Sequence, residues 1–420
     1  MKKNTHNNIN LESVKQAAKI LKDVAVKTPL QKNLNLSKKF GANVLLKRED
    51  LQQVRSYKIR GAYHKISSLS TKEIENGIVC ASAGNHAQGV AFVCNKLKIK
   101  GTIVMPTPTP KQKIEQVKMF GGTFVEVVLK GDTFDDASIS AKKLCSDQNK
   151  TFVHPFDDVK IIEGQATVGL EIIEQTKVPI DYVFLAVGGG GLASGLSSIF
   201  KQLSPNTRII GVEPLGAPSM SEAIQQERVV ILDKIDRFID GAAVKQVGDL
   251  TFEICKENLY TMITIPEGKV CQTILELYNK DAIVVEPAGA LSISALDNFK
   301  EEIKGKNIVC IVSGSNNDIT RTAEIKERAL LYANLKHYFI IRFPQRAGAL
   351  REFVVDILGP NDDITHFEYT KKHSKENAPA VVGIELKNEE DLEPLIARMK
   401  AHNFFGDYIN DKPDLFDFLV

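Results

Sequence analysis

Apolar residues recur at Val14, Ala17, Ala18, Leu21 and Val24, the i, i+3, i+4, i+7 spacing that puts them on one helix face, and Asn10 stands where a cap is needed. The apolar run Val44, Leu45, Leu46 then predicts a strand leading into the charged Lys47, Arg48, Glu49, Asp50. From Gly77 the pattern becomes an alternation. Short apolar, β-branched runs at 78–80, 102–105, 123–128, 182–187, 208–212 and 308–312 predict strands, and amphipathic stretches lie between most of them. One such stretch, 111–120, is stopped by Gly121 and Gly122; another, 133–145, has Thr133 as its cap. Near-continuous apolar strands separated by helices imply an open α/β region with parallel sheets covered on both faces. A ligand of such a region belongs at the carboxyl ends of the strands.

Beyond Arg328 the texture changes. Residues 330–336 read as a connector, 338–343 as a strand, and 349–358 as a helix ended by Gly359 and Pro360. A strand at 364–370, a polar hairpin-like segment, a strand at 380–386, a helix at 392–402 and a short strand near Tyr408 follow. This βαββαβ order is the ferredoxin-like arrangement. The expected division is a catalytic region of two α/β subdomains at 1–329, a linker at 330–336 and a separate C-terminal domain at 337–420.

Composition narrows the possibilities. The 420 residues exceed one ordinary core, and 54 basic against 52 acidic residues leave a formal charge of only +2. No global field or basic cluster draws in nucleic acid or anionic membrane. Two lysines near the start are not followed by an apolar segment, and no apolar run is long enough to span a bilayer, so a cytoplasmic location is expected. Six cysteines without a C-x-x-C pair read as reduced, buried thiols.

The candidate chemistry begins at Ser56-Tyr57-Lys58-Ile59-Arg60-Gly61. A desolvated lysine amine can lose its proton and attack a carbonyl, although a lone lysine in a mixed segment is ordinarily a solvated surface residue. Three glycine- or serine-rich turns give Lys58 company, each where a strand hands over to a helix: ASAGNHAQG at 81–89, VGGGGLASG at 187–195 and VSGSNND at 312–318. Backbone N–H groups at such helix starts point outward and bind anions.

SYKIRGA, SAGNHAQG, GGGGL, EPAGA and SGSN, in this order, resemble the fold type II (tryptophan synthase β-like) pyridoxal-phosphate enzymes, and within them the threonine dehydratases. The resemblance covers about the first four fifths of the chain. It implies pyridoxal 5'-phosphate as cofactor, with Lys58 as its covalent anchor and catalytic base. Gly188, Gly189, Gly190, Gly191 and Leu192 would form the phosphate loop, Asn85 would contact the ring 3'-oxygen, and Ser313 would face the ring nitrogen. Ser82, Ala83, Gly84 and His86, around the start of a helix, would hold the substrate carboxylate. The implied reaction converts L-threonine, and also L-serine, to a 2-oxo acid and ammonia; threonine gives 2-oxobutanoate, the first step of isoleucine biosynthesis. The Arg346-x-Gly348-Ala349-Leu350 start of the C-terminal unit resembles the ACT-like domains of amino-acid enzymes, and an effector site on a committed biosynthetic step makes the end product isoleucine, with valine as antagonist, the first candidate. The family resemblance also implies a homotetramer.

Several residues admit two readings. Four contiguous glycines after a late strand fit a phosphate cradle better than a dinucleotide fingerprint, which needs G-x-G-x-x-G after the first strand. His86 is either a base or ligand, or a structural histidine. Glu286 is either an exposed helix-start carboxylate or, with Gly241, part of the site wall. Glu213, Pro214 and Ala217 resemble a cation site, but Ser219 stands where a second carboxylate would be expected, and no metal is assigned. Ala83 replaces the second serine of relatives that racemise serine, which weighs against racemisation. The alternatives are a racemase or β-replacement enzyme of the same fold, or an amino-acid sensor without catalysis.

Overall fold

The computed structural model describes residues 9–369 and 377–419; the polar hairpin-like stretch expected after the strand at 364–370 falls largely outside the described residues. The chain divides into two compact units, Met1–Ile319 and Thr320–Val420.

The first unit contains two sheets. The larger has six strands in the order Leu30–Lys32, Asn43–Arg48, Asn307–Val312, Tyr182–Ala186, Arg208–Pro214, Thr261–Ile265. All its pairs are parallel except the edge, where Leu30–Lys32 runs antiparallel to Asn43–Arg48. The smaller sheet is parallel, in the order Val125–Leu129, Gly101–Met105, Ile78–Ala81, Thr151–Phe152. Val125–Leu129 starts later than the apolar run suggests, because Gly122 takes φ +54° and Gly122–Phe124 form a 3-10 turn first. One core contains Val183, Leu185, Val309 and Ile311 of the large sheet together with Leu192, Leu196 and Phe200 of the helix Gly191–Leu203. Each such side chain, fully buried, contributes roughly 1.5–3 kcal/mol.

Two helices carry the region around Lys58. Lys58–Ser67 lies against Val159–Gln175 so closely that a Cβ at Gly164 would come within 2.7 Å of the Arg60 carbonyl oxygen. Arg60, on that contact, joins a buried charged network. It donates to Glu49 Oε2 and Oε1 at 2.8 Å each and to Glu171 Oε1 at 2.7 Å. Lys47 donates to Glu171 Oε2 at 2.6 Å, to the Thr28 carbonyl at 2.7 Å and to Gln175 Oε1 at 3.0 Å. The N-terminal helix, Leu11–Leu21, is capped by Asn10, whose Oδ1 accepts from the Ser13 amide at 2.9 Å. It buries Val14 against Ile162 and Ala166.

The second unit is an antiparallel sheet ordered Asp363–Tyr369, Asn377–Glu385, Lys336–Pro344, Phe405–Tyr408. Helical turns Ala349–Glu352 and Phe353–Ile357, the latter π-type, and the helix Leu392–Ala401 complete the βαββαβ order, to which Pro413–Leu419 adds a final helix. The helix Thr322–Tyr332 also belongs here and buries Ile325 and Ala329. Leu330 and Leu331 prolong that helix, so the stretch between helix and strand is shorter than residues 330–336, and it turns at Asn334 with φ +53°. All six cysteines are free, with Cys145 partly exposed and the others buried. Among the described residues no helix is long and apolar enough to cross a membrane.

Candidate active site

Lys58 is the first residue of the helix Lys58–Ser67, preceded by Tyr57. Its amine donates to the Pro155 carbonyl at 2.9 Å and lies 5.5 Å from the Tyr57 ring centroid. Although part of the side chain is reached by solvent, burial of the amine draws its pKa down to about 8, opposed by the negative charge of Glu286. The neutral, nucleophilic form is therefore accessible near physiological pH.

Backbone pairing ties this segment to SGSN. The Tyr57 amide donates to the Ser313 carbonyl at 3.2 Å, the Ser315 amide donates to the Arg55 carbonyl at 2.9 Å, and Ser56 bridges Gly314. Ser313 ends the strand Asn307–Val312 and is buried; among the described residues no protein group hydrogen-bonds its hydroxyl. Asn85 opens the helix Asn85–Leu97 after the strand Ile78–Ala81. Its amide nitrogen donates to Glu286 Oε1 at 2.6 Å and its Oδ1 accepts from Asn316 Nδ2 at 2.5 Å. In the same turn the Ser82 hydroxyl accepts from the Gly84 amide at 3.2 Å, Ala83 is partly exposed, and a Cβ at Gly84 would meet nothing within 4 Å. His86 is turned to structure: its Nε2 donates to the Val153 carbonyl at 3.1 Å, and burial, with the Lys58 charge adding to it, pushes its pKa down to about 3. The neutral ring leaves only the His86 backbone amide for an anion.

Gly188, Gly189, Gly190 and Gly191 follow the strand Tyr182–Ala186, with Gly190 at φ +94° capping the helix Gly191–Leu203 and Leu192 buried behind it. A Cβ on Gly189 would sit 2.2 Å from the Phe156 ring, and one on Gly188 would sit 3.0 Å from the Ala242 carbonyl. Only glycine lets the backbone pass here with its amides at a helix start, the form of a phosphate cradle. Pro155 and Phe156 are adjacent, so one short turn touches both the Lys58 amine and the glycine loop.

Comparison with known proteins agrees with this geometry. Residues 21–314 match the family described as "Pyridoxal-phosphate dependent enzyme", and residues 327–419 match "C-terminal regulatory domain of Threonine dehydratase". The chain is 57% identical over 412 residues to the biosynthetic L-threonine dehydratase IlvA of Halalkalibacterium halodurans, covering 98% of this chain and 99% of that protein. The chain belongs to the threonine dehydratase family of pyridoxal-phosphate enzymes. The Bacillus subtilis IlvA is 54% identical, with 98% of each chain covered. The processed threonine deaminase isoform 2 of Solanum lycopersicum superposes with a TM-score of 0.72 at 41% identity, over 76% of this chain and 89% of that one.

The structure decides between the two readings of Glu286 and adds a turn that the sequence did not single out. Glu286 is 4% exposed, not a surface carboxylate, and burial raises its pKa to about 7, helped by the charge of Asp240. Gly241 and Gly314 both face it; a Cβ would lie 3.6 Å and 2.4 Å from Glu286 Oε1, respectively. The turn from His154 to Asp157 had no glycine run to announce it. Its signal was the sequence HPFDD just before a helix, where Asp158 caps Val159–Gln175. At the site that resembled a cation centre, Glu213 instead accepts from the Met220 and Ser221 amides at 2.6 and 2.9 Å, and Ser219 donates to the Val244 carbonyl.

Proposed function

We propose that this dehydratase converts L-threonine to 2-oxobutanoate and ammonia, and accepts L-serine by the same route, with Lys58 as the catalytic residue. The observation that carries this reading is a desolvated lysine amine and a glycine cradle meeting on one turn, Pro155–Phe156. The site fits pyridoxal 5'-phosphate. The amides of Gly188, Gly189, Gly190, Gly191 and Leu192 would take the phosphate, Asn85 the ring hydroxyl and the unpartnered Ser313 hydroxyl the ring nitrogen. Bound there, the cofactor supplies the electron sink that a carbanion at Cα requires.

The chain's own residues do the rest. The open space at Gly84, at the start of Asn85–Leu97, suits a substrate carboxylate held by Ser82 and by the backbone of Ala83, Gly84 and His86. Neutral Lys58 would remove the proton from Cα, and the β-hydroxyl would leave with one proton as water; one water then adds to the carbon that carries the nitrogen, giving the 2-oxo acid and releasing ammonia. A hydroxyl that donates to the ring nitrogen, where a carboxylate would keep that nitrogen protonated, makes the sink mild and favours elimination over longer-lived side reactions. Ala83 carries no proton for the opposite face of Cα, which disfavours racemisation. Serine differs from threonine by one methyl, worth only about 1–3 kcal/mol of discrimination.

We further infer a catalytic part expected at 1–329 and a regulatory part at 337–420, with the helix Thr322–Tyr332 going with the regulatory side as its compact unit does, and we infer that isoleucine is the effector and that the enzyme is a cytoplasmic homotetramer. The match of residues 327–419 to a threonine dehydratase regulatory domain and the biosynthetic label of the relatives support isoleucine. One assay addresses both readings: 2-oxo acid formation from L-threonine with pyridoxal phosphate, repeated with isoleucine across threonine concentrations. The expected result is turnover that isoleucine depresses, with a coupling on the order of 1–3 kcal/mol. No 2-oxo acid removes the dehydratase reading; turnover that isoleucine leaves unchanged at every threonine concentration removes the effector alone. Sedimentation at several concentrations checks the tetramer.

A further inference from the structure

The helix Asp249–Asn258 lies behind the glycine loop and makes no use of its own chemistry there; its residues serve the loop. The Thr251 hydroxyl donates to the Gly189 carbonyl at 2.6 Å and accepts from the Gly248 amide at 3.1 Å. One turn further along, the Cys255 thiol sits 3.9 Å from the Gly190 carbonyl. The start of this helix is held in turn by Asp157, whose two carboxylate oxygens accept from the Thr251 amide at 3.1 Å and the Asp249 amide at 3.2 Å. Asp157 follows Phe156, whose ring fills the space beside Gly189, and Pro155, whose carbonyl receives the Lys58 amine.

A carbonyl that is gripped from behind fixes the peptide plane it belongs to, so the amides on the far side of the loop keep one direction. Four consecutive glycines would otherwise have wide conformational freedom, and a ligand would have to order them at the cost of affinity. We propose that Thr251 and Asp157 are positioning residues that preset the glycine loop for the cofactor phosphate and register it against Lys58. The proposal rests on the reading of that loop as the phosphate cradle.

The test uses the full chain, freed of cofactor and titrated with pyridoxal phosphate, with the dissociation constant and the 31P shift of the bound phosphate as readouts. Removing the hydroxyl in Thr251→Val should weaken binding about tenfold, the scale of one lost buried hydrogen bond, and shift the 31P signal, while Thr251→Ser restores both. Asp157→Asn, which keeps the shape but weakens the charge-assisted bonds, should give a smaller loss in the same direction and provides the reading if Thr251→Val does not fold. Parent affinity and parent 31P shift in the variants that fold would overturn the proposal. So would a loss that serine does not restore, or one matched by an equal drop in the melting temperature of the cofactor-free protein, which would indicate general damage. Gly189→Ala separates the two readings. If it weakens binding while Thr251→Val and Asp157→Asn do not, only the clamp falls; if it binds like the parent, the cradle falls and the clamp with it.

Discussion

Two lysines of this fold are drawn out of water, and they end in opposite conditions. Lys47 has no exposed side-chain surface, and its three donors are all used, on the Thr28 carbonyl, the Glu171 carboxylate and the Gln175 amide oxygen. Among the described residues Lys58 has a single carbonyl, from Pro155, and no carboxylate in contact. Complete pairing makes Lys47 a fixed part of the frame. Burial lowers the pKa of both amines, against the charges of Glu49 and Glu171 at Lys47; Lys58 is drawn to about 8 and, among the described residues, keeps donors free for another partner. Removal from water is common to both; what separates a structural charge from a reactive one is whether its valences are filled.

The reactive side is tested most directly by Lys58→Ala. It should reduce threonine turnover to the assay limit and remove the absorbance of lysine-bound cofactor, while the melting temperature of the cofactor-free protein stays close to the parent value. Dehydration surviving in the variant would end the case for Lys58. The frame side is tested by Arg60→Ala, which leaves Glu49 and Glu171 facing each other without their shared guanidinium. Denaturant unfolding should show a loss of about 3–5 kcal/mol. A loss below about 1 kcal/mol would mean that Arg60 does not hold the network together.

Glu286 extends the contrast to carboxylates, since Glu49 is held by Arg60 while Glu286 has mainly Asn85. Burial raises Glu286 from an ordinary 4.5 to about 7, so between those pH values the folded chain keeps a proton that the unfolded chain has lost. Stability from this group is full below pH 4.5 and disappears as pH rises through 7, a contribution of about 3 kcal/mol. In Glu286→Gln the cofactor-free protein should lose that slope. An identical pH dependence of unfolding in the two proteins would show that Glu286 ionises normally. The smallest effect concerns Lys58 itself. Recombination of cofactor-free protein with pyridoxal phosphate should accelerate about tenfold per pH unit below 8 and level off above it, as the neutral amine fraction saturates. A plateau reached only near pH 10 would return Lys58 to an ordinary lysine.

The sequence made some of this plain and hid the rest for physical reasons. Gly190 and Gly122 occupy positive φ, and the loops they build are visible because no other residue does so at low cost. Most strands of the two sheets are visible because a doubly covered parallel strand needs apolar residues on both faces, whereas the edge strands Leu30–Lys32, Thr151–Phe152 and Thr261–Ile265, short or only partly buried, carried no such run. By contrast, Lys47, Glu49 and Asp50 are buried although adjacent charges read as surface, because the partners that justify their burial include residues such as Glu171, far along the chain. Glu286 was ambiguous for the same reason: nothing local distinguishes a carboxylate that caps into solvent from one turned toward Asn85. Thr251 carried no signal and Asp157 only the HPFDD run that precedes a helix, since a hydroxyl and a carboxylate near helix starts are ordinary capping residues until the loop they touch is known. In the second unit the βαββαβ order was readable from alternation, whereas the π-type turn Phe353–Ile357 and the last helix, Pro413–Leu419, were not.

The acceptor that holds the Lys58 amine is a main-chain oxygen. No codon change at position 155 deletes it, because every amino acid brings the same carbonyl, and a scan of single alanines through residues 154–157 would report only ring packing and capping. The same is true of the Ala242 carbonyl beside Gly188. Random mutagenesis would find Lys58, Asn85 and, through the crowding of any added Cβ, the loop glycines, but would miss the carbonyls that receive the amine and line the loop; only a shift of the backbone, by insertion, deletion or an amide-to-ester exchange, would bring those to light.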